Sequence, residues 1–127
     1  MTIFLKIVRK STCLAKYSTN AKSTKFKVLF FGTDEFSACT LRALHREYSL
    51  ENGCISHLET CTSKMKKLVP AVKLASDQFS LKSHPWPPDI QICRQFDVGI
   101  VSSFGHLIPS KIIQSFSRFA KILFKIF

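Results

Sequence analysis

Two apolar runs, each broken near a glycine and passing at once into polar residues, constrain this chain more than anything else in it. Phe26-Lys27-Val28-Leu29-Phe30-Phe31 stops at Gly32 and continues as Thr33-Asp34-Glu35-Phe36, while Asp97-Val98-Gly99-Ile100-Val101-Ser102 passes through Ser103 and Phe104 to Gly105. The apolar residues of the first run follow one another instead of alternating, as in a central strand of a parallel sheet covered on both faces. A strand that ends at a glycine turn and feeds a helix delivers its loop to the carboxyl edge of such a sheet, where α/β folds bind ligands.

The residues between the two runs supply the connections that a parallel sheet needs. Thr33 or Asp34 can cap a helix whose apolar positions Phe36, Leu41, Leu44 and Tyr48 lie near helical spacing, leaving Arg42, Arg46 and Glu47 to water. Asn52-Gly53 marks a turn, and Cys54 to Thr60 reads as a second strand interrupted by His57 and Glu59. A basic connector follows with Lys64, Lys66 and Lys67, after which Pro70 opens a helix through Val72, Leu74, Ala75 and Phe79. Ser80 to Lys82 is predicted as a short third strand. The prolines of His84-Pro85-Trp86-Pro87-Pro88 make that segment extended or turning. Pro109 opens a last helix carrying Ile112, Ile113 and Phe116 on one side. The pattern predicts an α/β fold, a Rossmann-like open parallel sheet with flanking helices.

A chain of 127 residues allows one domain. Its net charge of +11 is unevenly placed: six of 19 basic residues precede Phe26, and no acid occurs before Asp34. Ile3, Phe4, Ile7 and Val8 can share a helical face opposite Lys6, Arg9 and Lys10, with hydroxyl residues following. Residues 1–25 therefore read as a mitochondrial transit peptide, or otherwise as a disordered basic leader. Residues 26–116 form the folded body, and 117–127 an apolar, basic tail. In that tail Arg118, Lys121 and Lys125 can line one face and Phe116, Phe119 and Leu123 another, but about a dozen residues fall short of the roughly 20 needed to span a bilayer.

Several chemistries find no support. The first loop has one glycine where a dinucleotide fingerprint has three, so a nicotinamide cofactor is not expected; no Gly-Lys-Ser/Thr occurs either. Five cysteines (Cys13, Cys39, Cys54, Cys61 and Cys93) form no Cys-x-x-Cys pair, and the four histidines have no ligand spacing, so free, buried or half-buried thiols and no metal are expected. By physics alone Gly32-Thr33-Asp34 is a strand-to-helix turn with a cap.

Gly32-Thr33-Asp34-Glu35-Phe36 resembles the Gly-Thr-x-x-Phe turn of the methionyl-tRNA formyltransferase family. Ser102-Ser103-Phe104-Gly105-His106-Leu107-Ile108-Pro109 is similar to the family's second strand-end segment, and the basic leader suggests the mitochondrial form. The resemblance implies 10-formyltetrahydrofolate as formyl donor and the α-amino group of initiator methionyl-tRNA as acceptor, in the mitochondrial matrix. It implies that Ser103, Phe104 and Gly105 bind the folate and that Gly32, Thr33 and Phe36 bind substrate. The enzyme is expected to be a monomer without stable membrane insertion.

The family performs its chemistry with an Asn-x-His segment on the next strand, a Ser-Leu-Leu-Pro-like loop and a later Asp. None occurs here. After Asp97 the chain has no Asp, Glu or Asn, and its one histidine there, His106, stands in the earlier motif. No catalytic residue is assigned: the body reads as an incomplete formyltransferase domain that stops before the catalytic segment and is inactive alone. Two alternatives stay open, another folate-dependent formyltransferase or hydrolase of the same fold, and a non-catalytic basic remnant that binds nucleic acid.

Overall fold

The computed structural model describes residues 25–64 and 67–116. The leader before Lys25, Lys66 of the basic connector and the 117–127 tail lie outside the described residues. Strands β1 (Phe26–Phe31), β2 (Ile55–Thr62), β3 (Ser83–Pro85) and β4 (Val98–Val101) alternate with helices α1 (Glu35–Ser49), α2 (Ala71–Gln78), α3 (Ile90–Cys93) and α4 (Ser110–Ser115). The four strands form one sheet in the order β3-β2-β1-β4, and every pairing is parallel. This is the α/β arrangement that the two apolar runs predict.

The unbroken apolar run of β1 reflects its central position. Val28 and Phe30 point into one core with Ala38, Leu41 and Leu44 of α1 and Val72 and Ala75 of α2. Leu29 and Phe31 point into a second core with Cys93, Phe96, Val101, Ile112 and Phe116. Burying each of these large side chains contributes about 1.5–3 kcal/mol over leaving it in water. Both faces of β1 are therefore committed, which a half-buried strand of alternating pattern could not achieve.

Asp34 caps α1: its Oδ1 accepts from Ser37 N at 2.9 Å. Glu47, expected in water, instead turns back so that Oε1 accepts from Cys54 N at 3.0 Å and pins the turn into β2. On α2, Leu74 is exposed and Ser76 takes the buried position, its Oγ lying 2.7 Å from both Val72 O and Thr60 Oγ1. A short hydroxyl can satisfy itself against its own helix, so burial there did not require an apolar residue.

The predicted third strand at Ser80 to Lys82 is three residues early. Ser80 has φ +56°, with Ser80 N donating to Asp77 O (3.1 Å) and Leu81 N to Ser76 O (2.8 Å). That pair of bonds is a Schellman ending for α2 with a serine in the left-handed position that glycine usually fills. The strand starts only once this turn is complete. β2 runs two residues further than predicted, because Cys61 registers with both β1 and β3 and Thr62 with β3. Helix α3 has only four residues, too few to register as a helical period; Asp89 caps it through Gln91 N at 2.9 Å. Cys54, Cys61 and Cys93 are buried, as expected of free thiols, whereas Cys39 is exposed on α1.

Candidate functional site

β1 and β4 are hydrogen-bonded neighbours, with Phe31 opposite Val101, so the loops after them emerge side by side at the carboxyl edge. Thr33 Oγ1 donates to Phe104 O at 3.3 Å and lies 2.9 Å from Ser63 Oγ, linking the loops that follow β1, β4 and β2. Gly32, Thr33, Ser103, Phe104 and Gly105 are thus brought to one crevice. Phe36, half-buried, stands at the second position of α1, just after the β1 loop.

The individual roles are more specific than the sequence motif. A Cβ on Gly32 would lie 2.6 Å from Ser37 Cβ and 2.8 Å from the Phe30 ring, so glycine here lets α1 start hard against its strand. That is a packing requirement. Gly105 differs: its φ of +81° needs glycine, while open space surrounds the place where a side chain would go. Ser103 carries a φ of +46° without that freedom, and its buried Oγ has no hydrogen-bond partner among the described residues. Backbone conformations of this kind in a non-glycine residue cost of order 1 kcal/mol and persist where the surroundings enforce them.

Ser37 is the enforcing residue that sequence reasoning missed. Fully buried in the first turn of α1, its hydroxyl donates to Ser102 O and lies 3.2 Å from Ser103 O, while Thr40 Oγ1 approaches Ser102 Oγ at 3.3 Å. The β4 loop is thereby held to the start of α1. The available signal was two hydroxyl residues, Ser37 and Thr40, on the apolar stripe of an otherwise aliphatic helix face.

Trp86 was also not foreseen as part of the crevice. It leaves β3 through the proline-rich segment, meets Phe104 edge-on at 4.9 Å and stacks on His106 at 5.3 Å with 20° between planes. Phe31 lies beneath both Trp86 and Phe104, at 6.3 and 5.7 Å. The β4 side of this edge is therefore an aromatic cluster in which Phe31 and Phe104 are buried and Trp86 and His106 are the rings that reach the surface. His106 serves as an exposed stacking partner in the loop.

The titratable groups with shifted ionisation lie below this edge. Glu59 on β2 is hydrogen-bonded to His84 Nε2 at 2.6 Å and to His57 Nε2. Burial raises its pKa, but the hydrogen bonds from His57 and His84 and their positive field outweigh burial and leave it lowered. Burial pushes the Cys61 thiol up to about 12, with nearby Cys93 adding to the shift, so it stays protonated. Among the described residues no group of three or more His, Cys, Asp or Glu is arranged to hold a metal ion, and no helix is long and apolar enough to cross a membrane.

No protein-family model matches the chain. It is 42% identical over 95 residues to the mitochondrial methionyl-tRNA formyltransferase of Homo sapiens, an alignment covering 72% of this chain and 23% of that protein. The Bos taurus protein of the same name gives the same identity and coverage. The Mus musculus protein is 40% identical over 94 residues, covering 72% of this chain and 24% of its own length. The chain spans about a quarter of the length of the curated relatives it matches.

Proposed function

The chain belongs to the methionyl-tRNA formyltransferase family, and from that premise we propose that its β1–β4 crevice is the donor end of a mitochondrial formyl-transfer site. The family resemblance supports a folate co-substrate, 10-formyltetrahydrofolate, and initiator methionyl-tRNA as acceptor. Half-buried Trp86, held in place by the buried Phe104 ring, offers a surface for the pterin ring, with Ser103 and Gly105 in the adjoining loop. Gly32, Thr33 and Phe36 form the side toward the acceptor. In the transfer, the α-amino nitrogen adds to the formyl carbon and loses its ammonium proton, and N10 of the folate departs with the bonding pair and takes up a proton. A group must accept that proton and donors must hold the tetrahedral oxyanion.

The observation that carries the reading is the adjacency of the two loops, closed by the Thr33 to Phe104 hydrogen bond. The proton-accepting Asn-x-His segment that the resemblance calls for does not occur in the 127 residues. We therefore assign binding to this chain and no catalytic residue. Trp86 is the sole tryptophan, so its fluorescence reports on the crevice directly. A stable reduced folate, 5-formyltetrahydrofolate, should quench it saturably, and Phe104→Ala should weaken that binding. Absence of a saturable change removes the reading. The 127 residues alone should transfer no formyl group to methionyl-tRNA above background.

A further inference from the structure

Three successive carbonyls of the loop after β4 are held from the β1 loop and the start of α1. Ser37 Oγ reaches the Ser102 and Ser103 carbonyls, and Thr33 Oγ1 donates to that of Phe104 at 3.3 Å. Gly105, the next residue, has a φ of +81° and open space where a side chain would stand. Thr33 is therefore the last anchor before the loop turns away. What it holds is the residue whose ring meets Trp86 at 4.9 Å and Phe31 at 5.7 Å.

Both ends of the connector between β2 and α2 also meet at Thr33. At its start, Ser63 Oγ lies 2.9 Å from Thr33 Oγ1; beyond its end, Val72 N in the first turn of α2 donates to Thr33 O at 3.2 Å. Hydrogen-bond chemistry gives the side-chain chain a direction. A hydroxyl carries one proton and a carbonyl can only accept, so the Thr33 proton goes to Phe104 O and the Ser63 proton goes to Thr33. Each bond in such a chain polarises the next. The middle position needs a group that donates and accepts at once, which a threonine or serine supplies and a valine does not.

We propose that Thr33 is a positioning residue: its hydroxyl relays the position of Ser63 to the Phe104 carbonyl and so sets where the Phe104 and Trp86 rings stand. The loops after β1, β2 and β4 then respond as one unit. A change at Ser63 reaches Trp86 by way of Thr33 and Phe104, and the Thr33 proton is spent within the protein. The consequence for a ligand rests on the folate reading of the crevice; the consequence for the unliganded chain does not.

The test compares Thr33→Val, Thr33→Ser and Ser63→Ala in the full chain, by protein NMR without ligand and by Trp86 fluorescence with 5-formyltetrahydrofolate. Thr33→Val keeps the shape and loses the proton, so the amide resonances of Phe104 and Gly105 and the indole resonance of Trp86 should move. Thr33→Ser keeps the hydroxyl and should return them close to their wild-type positions. Ser63→Ala should shift the same resonances in the same direction but less, since it leaves the bond from Thr33 to Phe104 in place. Where 5-formyltetrahydrofolate binds the wild type, Thr33→Val should weaken it about fivefold, as loss of one neutral hydrogen bond does, and Thr33→Ser by less than about twofold. No saturable binding to the wild type removes the folate reading alone, because the unliganded spectra still decide the role of Thr33. Wild-type spectra for Thr33→Val would overturn the proposal. So would a Thr33→Ser variant displaced as far as Thr33→Val, since the methyl and not the hydroxyl would then hold the loop. Ser63→Ala, at a half-buried position outside any helix or strand, guards against a Thr33→Val chain that fails to fold: unchanged Phe104 and Trp86 resonances there overturn the relay as well.

Discussion

The two faces of the sheet are built on different principles. The face carrying Val28 and Phe30 is covered by α1, with 15 residues, and α2, with eight, whose aliphatic side chains fill the space above the strands. The face carrying Leu29 and Phe31 is covered by α3 and α4, with four and six residues, and by ring contacts. Helices of four to six residues do not hold themselves together in water. Their positions depend on Phe31, whose ring meets Trp86, Phe104 and Phe116 edge-on. One face is thus a scaffold of long helices, and the other an aromatic layer that continues into the wall of the crevice. Disturbing the second should reach the crevice; disturbing the first should cost stability.

The largest effect is expected on the scaffold face. Leu41→Ala removes a fully buried side chain between α1 and the sheet and should destabilise by about 2–5 kcal/mol in urea unfolding. Ile112→Ala, on α4, should cost less, because a short helix can settle into the gap, but it should alter Trp86 fluorescence where Leu41→Ala does not. Equal losses with identical Trp86 emission would erase the distinction between the faces. The next effect is on the aromatic face. A Cβ on Gly99 would lie 2.6 Å from the Phe116 ring, so Gly99→Ala must displace that ring and should cost about 1–3 kcal/mol. A wild-type melt for this variant would mean that Phe116 does not hold the face.

How far the sequence disclosed this asymmetry depends on the kind of signal. β1, α1 and the start of α2 were legible because a contiguous apolar run, an Asp cap and a proline are local marks with direct physical consequences. That the loops of Gly32 and Gly105 reach the same carboxyl edge followed from two parallel strands running into glycine-bearing loops; that the strands are neighbours did not. What was not legible depends on pairs distant in sequence: Ser37 on the Ser102 and Ser103 carbonyls, 65 and 66 residues away, and Glu59 with His84, 25 residues away. Ser80 was misread as strand because a left-handed turn without glycine leaves no compositional trace. Trp86 was flanked by prolines that fix local geometry but say nothing of where the ring lands.

A smaller effect tests how α1 joins scaffold to crevice. Asp34→Ala removes the cap and should cost about 1 kcal/mol. Asp34 Oδ1 also lies 3.0 Å from Ser37 Oγ, the hydroxyl that holds the β4 loop. The variant should therefore shift the amide resonances of Ser102 and Ser103, whereas Glu35→Gln, which leaves that cap in place, should not. Loss of stability with no change at those amides would separate the cap from the crevice.

The smallest effect is a pH dependence that belongs to the aromatic face. Glu59 shares that face with Leu29 and Phe31, since it registers with Leu29, and its pKa lies below the ordinary value of 4.5 because His57 and His84 favour its charged form against the opposing pull of burial. A carboxylate with a lowered folded-state pKa adds stability above its unfolded pKa, and that stability is lost as pH falls through 4.5 towards the folded value. Melting temperature should accordingly decline as pH falls below 4.5, and Glu59→Gln should flatten this part of the decline. His84 is buried while His57 is exposed, so His57→Gln should flatten it less than Glu59→Gln, with one hydrogen bond to the carboxylate remaining. If Glu59→Gln follows the wild-type acid profile, the carboxylate gains nothing from its histidines in the folded chain, and the aromatic face owes its stability to ring packing alone.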